Sequence, residues 1–113
     1  MNVSSLTGAE PFTTKDGSTI RELHHTERQS LAEATLTAGQ ATERHYHART
    51  EEIYLVVDGA GELEVNGELR RVAAGDAALI PPGAPHRIRS TTASLRFLCC
   101  CAPPYSHDDT FVG

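Results

Sequence analysis

Residues 39–59 read GQATERHYHARTEEIYLVVDG. Two histidines, His45 and His47, stand one residue apart; a carboxylate follows at Glu52, and Asp58-Gly59 closes the stretch with a turn signal. Side chains alternate along a strand, so an extended 42–48 puts both imidazoles on one face. Two imidazoles on one face can grip one metal ion. Residues 52–57, EIYLVV, are apolar and β-branched, as a buried strand should be. Parity sets Glu52, Tyr54 and Val56 on one face of it and Ile53, Leu55 and Val57 on the other. Glu51 then faces away, and Glu52 is the preferred partner of the histidines, because a slip of one residue reverses every side chain.

Outward from this stretch, short strands recur between turn signals. Towards the N-terminus, Asp16-Gly17 is a turn, and 18–24 and 30–37 are strands. In the second, Ala32, Ala34 and Leu36 form a small apolar face. Residues 1–12 read as an irregular arm. Towards the C-terminus, 61–66 and 68–73 form a hairpin around Asn66-Gly67, the strongest short hairpin signal in the chain. Gly75-Asp76 turns, 77–80 is a strand that stops at Pro81-Pro82-Gly83, and 86–90 and 94–101 complete the set. The tail APPYSHDDTFVG holds two prolines and cannot continue a central strand. No stretch has a helical period. Short strands at this spacing predict a sandwich or barrel.

The chain has 113 residues, which predicts one domain, 1–113, with a barrel core at about 18–101. A net charge of -5 and the lack of a basic stripe exclude a nucleic-acid footprint. No segment has the apolar length to cross a bilayer, and the N-terminus lacks a basic start and an apolar run, so the expected location is the cytoplasm. The cysteines are consecutive, Cys99, Cys100 and Cys101, which is neither a disulfide framework nor a zinc knuckle. They are expected to act as small apolar strand residues, with Cys99 and Cys101 on one face and Cys100 on the other.

Two motifs give the chain a family resemblance. The first is a glycine, five residues, His-x-His, four residues, Glu, six residues and glycine, filled by Gly39, His45, His47, Glu52 and Gly59. The second is a glycine, five residues, Pro-x-Gly, two residues, His, three residues and Asn, filled by Gly75, Pro81, Gly83 and His86, with Ser90 at the Asn position. In order and spacing these resemble the cupins, small jelly-roll β-barrels, over about residues 30–101. The resemblance implies an all-β jelly-roll fold. It also implies one divalent transition metal ion per chain, held by His45, His47, Glu52 and His86. Three imidazoles and a carboxylate suit Fe²⁺, Mn²⁺, Ni²⁺, Co²⁺ or Zn²⁺ and leave open positions on an octahedral ion.

The other polar residues have plainer readings. His24 and His25 have no partner spacing and are read as surface residues; His107, in the tail, is read as exposed. Arg44, Arg87 and Arg89 flank the ligands at alternate positions and are assigned to solvent or a dimer contact. Tyr54 shares the face of Glu52 and is the candidate catalytic residue, although it equally fills a core. The leading expectation is a metal-dependent enzyme on a small organic molecule, with dioxygenase first among the chemistries common to cupins. One alternative is a non-redox isomerase or lyase, with the metal as Lewis acid and Tyr54 or a carboxylate moving a proton. The other is a metal-bearing small-ligand binding module without turnover, in keeping with inward faces that read mainly as Ala, Val, Ile, Leu and Phe. A homodimer is expected of so small a barrel, and Leu95, Phe97 and Leu98 are available either to its interface or to the core.

Overall fold

A computed structural model describes residues 1–113. Eleven strands run in the order β1 (Phe12–Thr13), β2 (Thr19–His25), β3 (Ser30–Thr37), β4 (His45–His47), β5 (Glu51–Asp58), β6 (Ala60–Val65), β7 (Glu68–Ala73), β8 (Ala77–Ile80), β9 (His86–Ser90), β10 (Ser94–Ala102) and β11 (Thr110–Val112). They form two antiparallel sheets, β1-β2-β3-β10-β5-β8 and β11-β4-β9-β6-β7. From β3 onward every connection except the β6–β7 hairpin crosses from one sheet to the other, which is the jelly-roll path. No helix is long and apolar enough to cross a membrane.

The turns form where the backbone chemistry allows them. Asn66 and Gly67 both take positive φ, 50° and 82°, as the two-residue hairpin between β6 and β7 requires. Gly59 has φ +80°, and a Cβ there would run into the carbonyl oxygen of Ser94, so the first motif's closing glycine answers a close backbone approach. Ser90, in place of the motif's Asn, is fully buried, and its Oγ donates to the Thr92 carbonyl at 2.8 Å. The serine therefore anchors the β9–β10 turn.

The core lies between the sheets. Ile20, Ala32, Ala34 and Leu36 meet Val56, Ile80, Ile88, Leu95 and Phe97 there. Each fully buried Leu, Ile or Phe contributes about 1.5–3 kcal/mol. Leu95 and Phe97 are at most 1% exposed and belong to this core; Leu98 faces the other way. On the outer face of the six-stranded sheet Ile53, Val57 and Leu79 are 41%, 39% and 59% exposed. The tail, beyond Pro103 and Pro104, adds a strand at the sheet edge, where β11 pairs with β4. The arm likewise contributes the two-residue edge strand β1, paired with β2.

Candidate metal centre

The centre spans the gap between the two sheets. His45 on β4 lies directly opposite His86 on β9 in the strand register, and His47 follows on the same face of β4. Tyr46, between the histidines, turns outward and stacks on Phe111 of β11 at 5.1 Å. Glu52 faces the histidines from β5 in the other sheet, flanked in register by Cys101 of β10 and Ile80 of β8. Glu51 is exposed, so the alternation along β5 selects Glu52. The Pro81-Pro82-Gly83 turn is tied to β4 by a hydrogen bond from Gly83 N to the His47 carbonyl at 2.7 Å, which sets β9, and with it His86, beside β4.

All three histidines are at most 4% exposed, and one ring nitrogen of each lies within 4.8 Å of those of the other two, so the group could hold a metal ion. Their other nitrogens fix the tautomers. His45 Nδ1 donates to the Glu43 carbonyl at 2.7 Å, and His86 Nδ1 to the Ala84 carbonyl at 2.9 Å. In both cases the acceptor lies two residues earlier in the chain. His47 Nδ1 is 3.1 Å from Thr110 Oγ1, and that hydroxyl already donates its proton to the Ser106 carbonyl at 2.8 Å. The hydroxyl must therefore accept from His47. With Nδ1 protonated in each neutral ring, all three Nε2 atoms carry a free lone pair.

Glu52 Oε1 is 3.3 Å from both His47 Nε2 and His86 Nε2. The approach to His86 lies off the hydrogen-bond direction: Glu52 Oε1 and His86 Nε2 are buried and have no hydrogen-bond partner. Buried polar atoms are rarely left so. Donor atoms sharing one ion at about 2.1 Å and at right angles are about 3 Å apart. The orphaned atoms and the donor set thus fit a divalent transition ion.

In the metal-free chain these groups shift one another's ionisation. Burial penalises the Glu52 charge, but the neighbouring His47 and His86 outweigh it and hold the carboxyl at about 2. Burial, and then the charge of His86, lower the pKa of His45 and keep the ring neutral. For His47 burial acts in the same direction, yet Glu52 overcomes it and the pKa is raised. Burial and the Glu52 charge push the Tyr54 hydroxyl well above its ordinary range, so Tyr54 retains its proton.

The centre opens on a narrow cavity with about 30 Å³ of room for water-sized spheres, about two waters' worth. Tyr54 lines it, 3% exposed, with its ring 5.8 Å from that of His86 and 4.7 Å from that of Phe97. The inward faces are less apolar than the strand patterns indicate. Asp16 and Tyr105 also line the cavity, because the β1–β2 turn and the tail fold over its mouth, and Cys99 and Cys101 line it from β10. Asp16, which reads only as a turn residue, has Oδ2 at 3.2 Å from His45 Nε2. Cys101 is buried and donates to Glu52 Oε2 at 3.2 Å. Its alternation with exposed Cys100 is legible in sequence; its pairing with Glu52 depends on the β5–β10 register and is not.

The remaining polar residues stand where their spacing predicts. His24, His25 and His107 are exposed. Arg44 pairs with Glu64 and Arg89 with Glu62 on the outside of the sheet, and Arg87 is exposed. Such exposed pairs contribute about 0–1 kcal/mol.

Comparison with known proteins agrees with the architecture. An uncharacterized protein of Methanocaldococcus jannaschii is 45% identical over 109 residues, covering 91% of this chain and 87% of that protein. Quercetin 2,3-dioxygenase of Bacillus subtilis is 40% identical over 60 residues; the match covers 53% of this chain but 18% of the enzyme. Among solved structures, KdgF from Halomonas sp. superposes with a TM-score of 0.85 at 23% identity, covering 94% of this chain and 96% of that one, a likeness of fold. The family model described as Cupin domain matches residues 32–101, from the small apolar face of β3 to the thiol beside Glu52, and the chain belongs to the cupin family.

Proposed function

We propose that the protein is a metal-dependent enzyme acting on a small organic molecule, with dioxygenase the first reading. The observation that carries it is the pair of orphaned buried atoms, Glu52 Oε1 and His86 Nε2, among three imidazoles whose ring nitrogens lie within 4.8 Å of one another. His45, His47, Glu52 and His86 would hold the ion. A divalent ion bound there supplies Lewis acidity and, if iron or manganese, a route for electrons to oxygen. The cavity beside the histidines is narrow, and Ile20, Ala32 and Phe97 form part of its apolar wall. The sequence match to quercetin 2,3-dioxygenase supports the oxygen reading.

A second reading is a non-redox isomerase or lyase, favoured by the protic lining. Tyr54 keeps its proton at neutral pH and is suited to donate it to a substrate oxygen rather than to abstract one. Tyr105, half-buried at the mouth and likewise shifted upward by burial, is a second donor. These groups count against a pure binding module, which has no need of them. The assembly proposed with this function is a homodimer that covers Ile53, Val57 and Leu79; monomer alone in a light-scattering dilution series would remove it.

Metal analysis by plasma mass spectrometry, with oxygen uptake followed over a panel of small acids and diols, tests the function. Near-stoichiometric iron or manganese with substrate-dependent uptake is the expected result. Bound metal without uptake, but with solvent deuterium entering a substrate under anaerobic conditions, would establish the second reading. No metal after reconstitution would overturn both.

A further inference from the structure

The β1–β2 turn brings a second carboxylate to the centre. Asp16 is 9% exposed. Its two oxygens have different surroundings. Oδ1 accepts from Thr14 Oγ1, from Ser18 N at 2.9 Å and from Ser18 Oγ at 2.7 Å. None of these bonds falls on Oδ2, which lies 3.2 Å from His45 Nε2.

That contact joins two acceptors. The proton of neutral His45 is on Nδ1, committed to the Glu43 carbonyl, so Nε2 presents a lone pair to a carboxylate oxygen. Asp16 Oδ2 and His45 Nε2 approach to 3.2 Å with no hydrogen bond between them, as two donors to one cation do. The same relation holds between Glu52 Oε1 and His86 Nε2. The centre is thus flanked by a carboxylate on the His47–His86 side and by another on the His45 side.

The turn is braced to hold this position. Glu43 N donates to the Asp16 carbonyl at 2.8 Å, so Asp16 and His45 are both fastened to Glu43. Lys15 Nζ donates to the carbonyls of His107 and Thr110 at 2.9 and 2.8 Å, which ties the turn to the tail that orients His47.

We propose that Asp16 is a further donor of the metal centre, binding the ion through Oδ2 beside His45. This rests on the metal reading above and goes beyond the two motifs, neither of which contains Asp16. Two carboxylates and three neutral imidazoles balance a divalent charge, and the added hard oxygen favours manganese or ferrous iron over softer ions. Five protein donors leave about one exchangeable position on an octahedral ion, against about two for the motif residues alone. Asp16 therefore decides whether a substrate group and dioxygen can reach the ion together or must take turns.

The test loads the metal-free full chain with Mn²⁺ and counts exchangeable water on the ion from the broadening of its electron paramagnetic resonance lines by ¹⁷O-water. Mn²⁺ affinity is measured alongside by calorimetry. The expected result is about one water in the wild type and about two in Asp16→Asn, with the dissociation constant raised about tenfold or more in the variant. Two waters in the wild type, or an affinity in Asp16→Asn within about twofold of it, would overturn the proposal. The wild-type count alone decides if the variant fails to fold. A wild type that binds Mn²⁺ with two waters refutes Asp16 and leaves the motif ligands standing, whereas one that binds no transition ion refutes the metal reading itself.

Discussion

The metal centre is assembled from two kinds of region that differ in how far along the chain they reach. His45, His47, Glu52 and His86 come from β4, β5 and β9, elements whose strand alternation and turn glycines face all four inward. Asp16, Tyr105 and Thr110 come from the two ends of the chain, brought together by contacts such as Lys15 with His107, 92 positions apart. The first set supplies the three-histidine group that could hold an ion, with Glu52 beside it. The second sets which nitrogen of His47 is protonated, what closes the mouth, and what further charge reaches the site. A pattern of residues can therefore mark a group that could hold a metal, while the further carboxylate proposed for it lies outside the pattern.

The sharpest way to break this division is within the motif region. In His47→Ala one of three imidazoles is gone and Glu52 Oε1 loses a neighbour at 3.3 Å. Metal affinity is expected to fall more than about 100-fold, beyond the range for residues that only support ligands, while the far-UV circular dichroism keeps its β signature. Plasma mass spectrometry of the purified variant checks it; unchanged metal content would remove His47 from the ligand set.

Acid probes the same region without a substitution. Metal binding requires neutral imidazoles, and Glu52 raises the pKa of His47 in the metal-free chain despite its burial. That raised pKa contributes stability below about 6.5 and loses it as pH rises through the folded value. The Glu52 carboxyl, lowered to about 2, contributes above the unfolded value and loses it only as pH falls through about 2. His47 and Glu52 thus support the metal-free barrel between about pH 4.5 and 6.5, while His45, whose pKa burial lowers, takes stability away as pH falls below about 6.5; in this window protons compete with the metal for His47. Dialysis to about pH 5.5 is expected to release the metal with the fold intact. Retention of metal there, or unfolding together with release, would contradict the assignment.

The terminal region predicts a smaller loss. Thr110→Val keeps the shape of a buried side chain but removes the acceptor of His47 Nδ1. The ring is then free to turn or change tautomer, and affinity is expected to fall about 10- to 100-fold. Thr110→Ser, which keeps the oxygen, should recover most of it. Equal affinity in the valine and serine variants would show that β11 merely covers the site.

The contrast also explains what was legible in the sequence. Strand alternation and turn chemistry are local, so the extent of β3, the Asn66-Gly67 hairpin and the inward face of Glu52 can be read from neighbours in the chain. Two-residue β1 and three-residue β11 are too short to carry a period, and Pro103-Pro104 ahead of β11 points to the end of the sheet. β11 is indeed an edge strand, but its Thr110 reaches His47 across 63 positions. Asp16 reads as an ordinary Asp-Gly turn because its partner is fixed only when the turn docks against the irregular segment leading to His45. Leu95, Phe97 and Leu98 look alike as apolar residues; the parity of β10 sends the first two into the core and leaves Leu98 on the outer face.

The cysteine run carries the comparison to its finest scale, since three identical residues in a row take three different surroundings. Cys100 is exposed, Cys99 is half-buried in the cavity wall, and Cys101 is buried with its thiol on Glu52 Oε2. Burial and then the Glu52 charge push the Cys101 thiol up, so it keeps its proton and remains a donor. It holds the outer oxygen of Glu52 while the other faces the histidines. A thiol is a weak donor, so Cys101→Ala should cost only about 1 kcal/mol in metal affinity, roughly fivefold. Cys101→Ser offers a stronger donor at a similar place and should match or exceed the wild type, and Cys100→Ala should change nothing. Calorimetric titration of the three variants separates these outcomes. If alanine and serine at 101 behave alike, the thiol only fills space, and the orientation of Glu52 is owed to its register between β10 and β8.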